Sequence, residues 1–249
     1  MMAPLLEIED LAKSYSGVRA LDGFDGEVHE GEILGLVGPN GSGKTTLFSC
    51  ITGFVRATGG RIVWRGREIS GLAPDQIARL GVVRTFQQKM VFPNATVREN
   101  LLMAWQRRGV SKNGVRHAFA KCDDLLRFLG LDAFAERLAT DIPFGSARKL
   151  GVGLSLAANP KLLLLDEPAA GLNQEETNEL GGLVRGIQSL GITVWVIEHD
   201  MSLIMSICER LIVLHVGRKI AEGKPAAVAA EPEVVSVFLG ERFAQRRTG

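Results

Sequence analysis

The sequence predicts an α/β chain: a mostly parallel central sheet, a small antiparallel β subdomain and an inserted α-helical subdomain. Three observations carry this. The runs Ile33-Leu34-Gly35-Leu36-Val37, Leu162 to Leu165 and Thr193 to Ile197 are short and continuously apolar, the pattern of strands covered on both faces, and a helix-like stretch follows each. Leu5 to Leu11 and Arg61 to Ile69 instead alternate apolar with polar residues, which suits half-exposed antiparallel strands. From about Pro93 to Leu156 the texture changes to helical spacing rich in Arg, Lys and Ala, as in Asp123 to Leu131, and no strand candidate of any length interrupts it. We therefore expect one domain of 249 residues, with 1–92 and 160–249 forming the core and β subdomain and 93–159 the helical insertion. Near the C-terminus, Leu211 to Leu214 and Arg218 to Ala221 flank Gly217 as two further strands, and a last helix is expected near Val234 to Leu239.

Composition narrows the class of function. With 46% hydrophobic and 23% charged residues the chain can bury a core and lies outside the disordered and disulfide-scaffold classes. Twenty-nine Lys and Arg against 28 Asp and Glu leave a net charge of +1, so any anion site must be local rather than a basic face for nucleic acid. Cys50, Cys122 and Cys208 are odd in number and widely spaced, which favours buried free thiols and a reducing compartment over a disulfide framework or thiolate zinc site. The N-terminal stretch is acidic where a signal peptide is basic, and no apolar run approaches the roughly 18 residues of a membrane span. A soluble, cytoplasmic protein is the expectation.

Chemistry concentrates in two segments. Gly38-Pro39-Asn40-Gly41-Ser42-Gly43-Lys44-Thr45 fits the phosphate-loop pattern and follows the strand ending at Val37. Glycines there let successive amides face one centre, and the helix after them, Thr45 to Thr52 with Thr46 in its first turn, adds its positive end. Lys44 suits the β/γ phosphates, and the Thr45 hydroxyl suits Mg²⁺. The second segment is Asp166-Glu167 at the end of the Leu162 strand, the sheet edge where open α/β folds bind ligands. Asp166 is placed to hold Mg²⁺ through its water shell, and Glu167 to polarise the attacking water as general base.

Together these residues resemble the nucleotide-binding subunit of ATP-binding cassette transporters, over nearly the whole chain. The resemblance implies a P-loop NTPase (RecA-like) core, Mg-dependent ATP hydrolysis, and roles for residues that are weak signals alone. Tyr15 stands where the family stacks an aromatic on adenine. Gln87, in Arg84-Thr85-Phe86-Gln87, matches the glutamine linking the Mg²⁺ site to the helical subdomain. His199, in Ile197-Glu198-His199-Asp200, matches the switch histidine at the γ-phosphate.

Ala169-Ala170-Gly171-Leu172-Asn173 resembles the loop by which two such subunits meet, with Asn173 where Asp is more common. In that family each nucleotide is sandwiched between the phosphate loop of one subunit and a signature loop of the other, normally Leu-Ser-Gly-Gly-Gln. Here the matching segment is Ile142-Pro143-Phe144-Gly145-Ser146. Pro143 has no hydroxyl and Ser146 is shorter than Gln, which leaves the Gly145 amide, the Ser146 hydroxyl and the helix end as donors. Gly151 and Gly153 each cost the following helix about 1 kcal/mol relative to Ala.

Pro160 to Asn173, the run Phe92 to Leu101 and the ending Phe238-Leu239-Gly240-Glu241 resemble the branched-chain (hydrophobic) amino acid importer subfamily. That implies a second ATPase subunit, identical or a paralogue, membrane permeases and indirectly a solute-binding protein. It places the chain peripherally on the cytoplasmic face of the membrane, with Met90, Val91, Phe92 and Leu101 to Trp105 as a candidate docking groove. A competing expectation is a nucleotide-gated, low-activity partner in a heterodimer, drawn from the altered signature. A cassette ATPase acting on DNA or ribosomes lacks support, for want of a coiled-coil insertion, a tandem cassette or a basic tract.

Overall fold

The computed structural model describes residues 3–85, 91–106, 115, 119 and 121–245. Among the described residues ten strands run in chain order: β1 (Leu6–Tyr15), β2 (Val18–Val28), β3 (Ile33–Val37), β4 (Gly59–Trp64), β5 (Arg67–Glu68), β6 (Val82–Arg84), β7 (Leu162–Asp166), β8 (Thr193–Ile197), β9 (Arg210–His215) and β10 (Arg218–Gly223). They form a six-stranded sheet of order β10-β9-β3-β8-β7-β6 and a four-stranded sheet of order β2-β1-β4-β5. In the larger sheet β9, β3, β8, β7 and β6 are parallel and only β10 pairs antiparallel. The smaller sheet is antiparallel throughout.

β3, β7 and β8 are buried at all five positions, as continuous apolar runs require. Their side chains still alternate between two cores. Ile33, Val37, Leu163, Leu165, Val194 and Val196 face the core shared with the helical region, built on Leu101, Leu125, Leu129, Leu150 and Leu156. Leu34, Leu36, Leu162, Leu164, Trp195 and Ile197 face the core shared with the antiparallel sheet and the helix Lys44–Ile51. There Phe48 meets Trp195 edge to face at 5.4 Å, a favoured aromatic geometry.

The alternation read from Leu6, Ile8 and Leu11 skips a step because β1 bulges. Its register with β2 shifts between Ile8 and Leu11, Asp10 takes φ +46, and the Asp10 amide donates to Asp25 Oδ1 at 2.8 Å. The extra residue turns Leu11 inward in place of Asp10. β2, β6 and the helix Pro74–Leu80 go beyond the elements the sequence predicts. β2 contains Gly23, Gly26 and three acidic residues, a composition that reads as loop, and is held by its pairing with β1.

Helices Val97–Gln106, Cys122–Phe128 and Phe144–Ala157 pack into the first core beside Gln174–Ser189. Gly153 is what lets them approach. A Cβ there would lie 2.4 Å from Leu129 Cδ1 and 3.0 Å from Leu101 Cδ2, whereas at Gly151 it would meet nothing within 4 Å. The cost expected of both glycines is thus offset by packing at Gly153 only. The last helix, Pro232–Gln245, is longer than the Val234 to Leu239 stretch. The three cysteines are free thiols, and burial raises the Cys50 pKa to about 11 and that of Cys208 to about 12, so both stay protonated. Among the described residues no helix is long and apolar enough to cross a membrane.

Candidate active site

The loop 38–45 joins β3 to the helix Lys44–Ile51. It is pressed between two backbone carbonyls that leave no room for side chains. A Cβ on Gly38 would lie 2.0 Å from Leu214 O, and one on Gly43, which takes φ +108 as the helix N-cap, 2.3 Å from Ala20 O. The Ser42 carbonyl accepts from the Gly217 amide at 2.9 Å, so strands β2 and β9 and the turn between β9 and β10 brace the loop, and the Pro39 carbonyl accepts from the Ser42 amide at 3.1 Å within it. Lys44 is buried, and its ammonium donates to the carbonyls of Gly38 at 2.7 Å and Pro39 at 2.9 Å. A cation held by its own loop at the positive end of a helix is a prepared anion site. Asn40, Gly41 and Thr45 are exposed around it, and Thr46 is half-buried.

Strand order brings the other residues to the same edge. Because β8 lies between β3 and β7, the loop after Val37, the segment after Ile197 and the Asp166-Glu167 pair emerge side by side at the carboxyl ends of parallel strands. Asp166 is buried; its Oδ2 accepts from Arg84 Nη2 at 2.5 Å, while Oδ1 has no hydrogen-bond partner. Glu167 takes φ +48, a sparsely populated conformation for a residue with a side chain, and its amide donates to Ile197 O at 3.0 Å. His199 follows β8 with its side chain two-thirds exposed. Asp200 caps the helix Met201–Ile207 by accepting from the amides of Ser202 and Leu203, and the Ser202 hydroxyl heads the hydrogen bonds that lower its pKa.

Tyr15 ends β1, 44% exposed, with Lys13 Nζ 4.8 Å from its ring centroid. The β1–β2 hairpin carries it toward the loop, since Ala20 of β2 abuts Gly43. Gln87 lies outside the described residues, as does Met90. Gly145 and Ser146 form the first turn of Phe144–Ala157, whose N-cap is Pro143. Gly145 is pressed on the Glu176 side chain, and its helix neighbours the loop 169–173 and the helix that follows. The docking groove needs correction. Leu101 is fully buried in the core and Leu102 and Trp105 pack against it, because their helix spends its apolar face on Leu129 and Gly153; among the described members Phe92 is the exposed one, at 55%.

Two charged residues near the site stand in the quoted motifs without a role. Arg84 bridges Asp166 to Ser49 Oγ at 2.9 Å, and Ser49 in turn donates to the Thr45 carbonyl at 2.6 Å. Glu198 is 1% exposed, and its Oε1 accepts from the Ala169 amide at 2.6 Å; burial pushes its carboxyl above the ordinary range. The available signal was a charged residue at the end of an apolar strand run.

With loop, acidic pair and histidine on one edge, the comparison with known proteins is decisive. The chain belongs to the ABC transporter family. The model of that family matches residues 21–170, and that of the branched-chain amino acid ATP-binding cassette transporter matches residues 218–244. The chain is 39% identical to the high-affinity branched-chain amino acid transport ATP-binding protein BraF of Pseudomonas aeruginosa, and 40% to LivG of Salmonella typhimurium, each alignment covering 97% of this chain and 100% of the relative. Among solved structures it resembles an ATP-binding cassette of an ABC transporter in its ADP conformation, at TM-score 0.85 and 31% identity, covering 96% of this chain and 100% of that one. It also resembles cbiO1 of Clostridium perfringens, at TM-score 0.81 and 28% identity over 94% of each chain. As an ABC cassette the chain is an ATPase built on the P-loop fold with an antiparallel β subdomain.

Proposed function

We propose that this ABC cassette hydrolyses Mg-ATP between two subunits and thereby powers a membrane permease, taking up branched-chain or other hydrophobic amino acids. The solute reading rests on the BraF and LivG relatives and on the match at residues 218–244. The chemical reading is carried by one observation: a buried carboxylate oxygen, Asp166 Oδ1, without a hydrogen-bond partner at the sheet edge where the phosphate loop opens. A buried carboxylate oxygen left without a donor is costly, and a hydrated divalent cation is a fitting partner for it.

In this reading the main-chain N–H groups of 40–46 receive the phosphates, and Lys44 exchanges the carbonyls of Gly38 and Pro39 for phosphate oxygens. Tyr15 stacks on the base. Thr45, Asp166 and Gln87 would hold Mg²⁺, which when bound would supply positive charge to offset that of the transition state. Glu167, aimed by its left-handed backbone, takes the proton of the attacking water as the γ-phosphorus leaves the bridging oxygen, and His199 donates to the γ-phosphate. Gly145 and Ser146 of a second subunit supply donors from the opposite side. Residues 93–159 move as the helical subdomain, and the protein sits peripherally on the cytoplasmic face of the membrane.

Glu167→Gln tests the scheme. It should bind Mg-ATP and accumulate as a dimer by light scattering while its turnover falls by about 10²-fold or more. A variant that stays monomeric at saturating Mg-ATP would falsify the sandwich.

A further inference from the structure

The loop 169–173 is gripped from two sides by residues to which the reaction scheme gives no task. On one side is Glu198. Its Oε1 accepts from the Ala169 amide at 2.6 Å and its Oε2 from the His199 amide at 3.2 Å, so one buried carboxylate joins the loop to the histidine segment. On the other side is the helix Phe144–Ala157. Arg148 Nη2 donates to the Ala170 carbonyl at 3.1 Å, and its guanidinium lies 5.0 Å from the centroid of the Phe144 ring. That ring in turn rests on Gly171, where a Cβ would lie 3.1 Å from Phe144 Cε1. The grip continues past the loop, since Glu176 Oε2 accepts from the Asn173 amide at 3.0 Å and the same side chain abuts Gly145.

Each bond ends on main chain, so it fixes where the loop runs rather than which side chains it carries. A charge-assisted bond to a backbone group, shielded from water, resists displacement more than a surface contact does. Glu198 is buried, and Arg148 Nε is buried as well, without a hydrogen-bond partner of its own. Helix, loop and histidine segment are therefore connected in series within one subunit.

We propose that Arg148 and Glu198 are positioning residues: they transmit displacement of the helix Phe144–Ala157 through the main chain of 169–171 to His199. This rests on the proposed reading that the helix meets the nucleotide of a second copy. Closure then shifts the loop through Arg148 and Phe144, and Glu198 passes the shift on. Neither residue contacts nucleotide in this scheme, so their loss should reduce turnover and spare binding.

The test uses the purified full chain with a fluorescent ATP analogue for affinity and phosphate release for turnover, in wild type, Arg148→Met, Arg148→Lys, Glu198→Gln and the double variant Arg148→Met/Glu198→Gln. We expect Kd for the Mg-nucleotide to stay within about twofold and kcat to fall about tenfold in Arg148→Met and in Glu198→Gln. Arg148→Lys, which keeps a donor for Ala170 O, should recover most of the loss. The double variant should be little worse than the poorer single one, because both bonds act on one loop. Unchanged kcat in both single variants overturns the proposal, as do strictly multiplicative losses or a parallel loss of affinity. If Glu198→Gln does not fold, the contrast between Met and Lys at position 148 decides alone. A wild-type chain without ATP turnover removes the underlying reading and this inference together; turnover in wild type with equal turnover in the variants removes only the inference.

Discussion

The phosphate loop and the signature segment are both helix N-termini with glycine beside them, yet they are built in opposite ways. At the first, Gly38 and Gly43 press on carbonyls of the chain's own strands, and Lys44 is buried and bonded to the loop. At the second, Pro143 provides no capping side chain, Phe144 is 53% exposed, and Gly145 leans on the Glu176 side chain, itself held by the Asn173 amide. The first is a complete anion cradle made by one chain. The second, in the proposed reading, receives its phosphate from another subunit. Main-chain bracing therefore accompanies the half proposed to grip nucleotide, and side-chain contacts accompany the half proposed to close on it.

Breaking the braced half should have the largest effect. Lys44→Ala removes a charged donor from a buried cradle, and we expect Mg-ATP affinity to drop by about 10²-fold, measured by equilibrium fluorescence. Retained affinity would show that the main-chain amides suffice and that the contrast between the two regions is overstated.

Sharpening the outward half comes next. Ser146→Gln restores the longer side chain the family places there, and steady-state ATPase activity should rise by up to about tenfold. An unchanged or lower rate would show that Ser146 is not the weak point of the segment. It would favour instead the reading of a low-activity partner that pairs with a more active paralogue.

The smallest effects lie in the helix behind Ser146. Gly151→Ala gains helix propensity with open space around it, and should stabilise by about 0.5–1 kcal/mol in urea unfolding. Gly153→Ala gains the same propensity but forces a methyl into Leu129 and Leu101, for a net loss of about 1 kcal/mol. Equal shifts of one sign would mean that the helix tolerates both methyls and that Gly153 is not a packing contact.

Those two glycines show what sequence can and cannot reveal. They are identical as letters and two residues apart, and only the facing leucines tell them apart. The same holds for the apolar residues after Phe92. Leu101 looks as suitable for docking a partner as Phe92 does, and its burial follows from a helix more than 20 residues away in the chain. Arg84 and Glu198 stood in plain view at strand ends, but the Asp166 and Ala169 groups they bond lie 82 and 29 residues distant.

The sequence by itself determined the strand type, the phosphate loop and the acidic pair, because glycine geometry, short apolar runs and adjacent charges act over a few neighbouring residues. Tertiary structure decided the bulge at Asp10, the split of each buried strand between two cores, which glycine is obligatory, and which side chains hold the loop 169–173. Those outcomes depend on distances between segments far apart along the chain, and such distances are set only when the sheet order β3-β8-β7 closes and the helices compete for its faces.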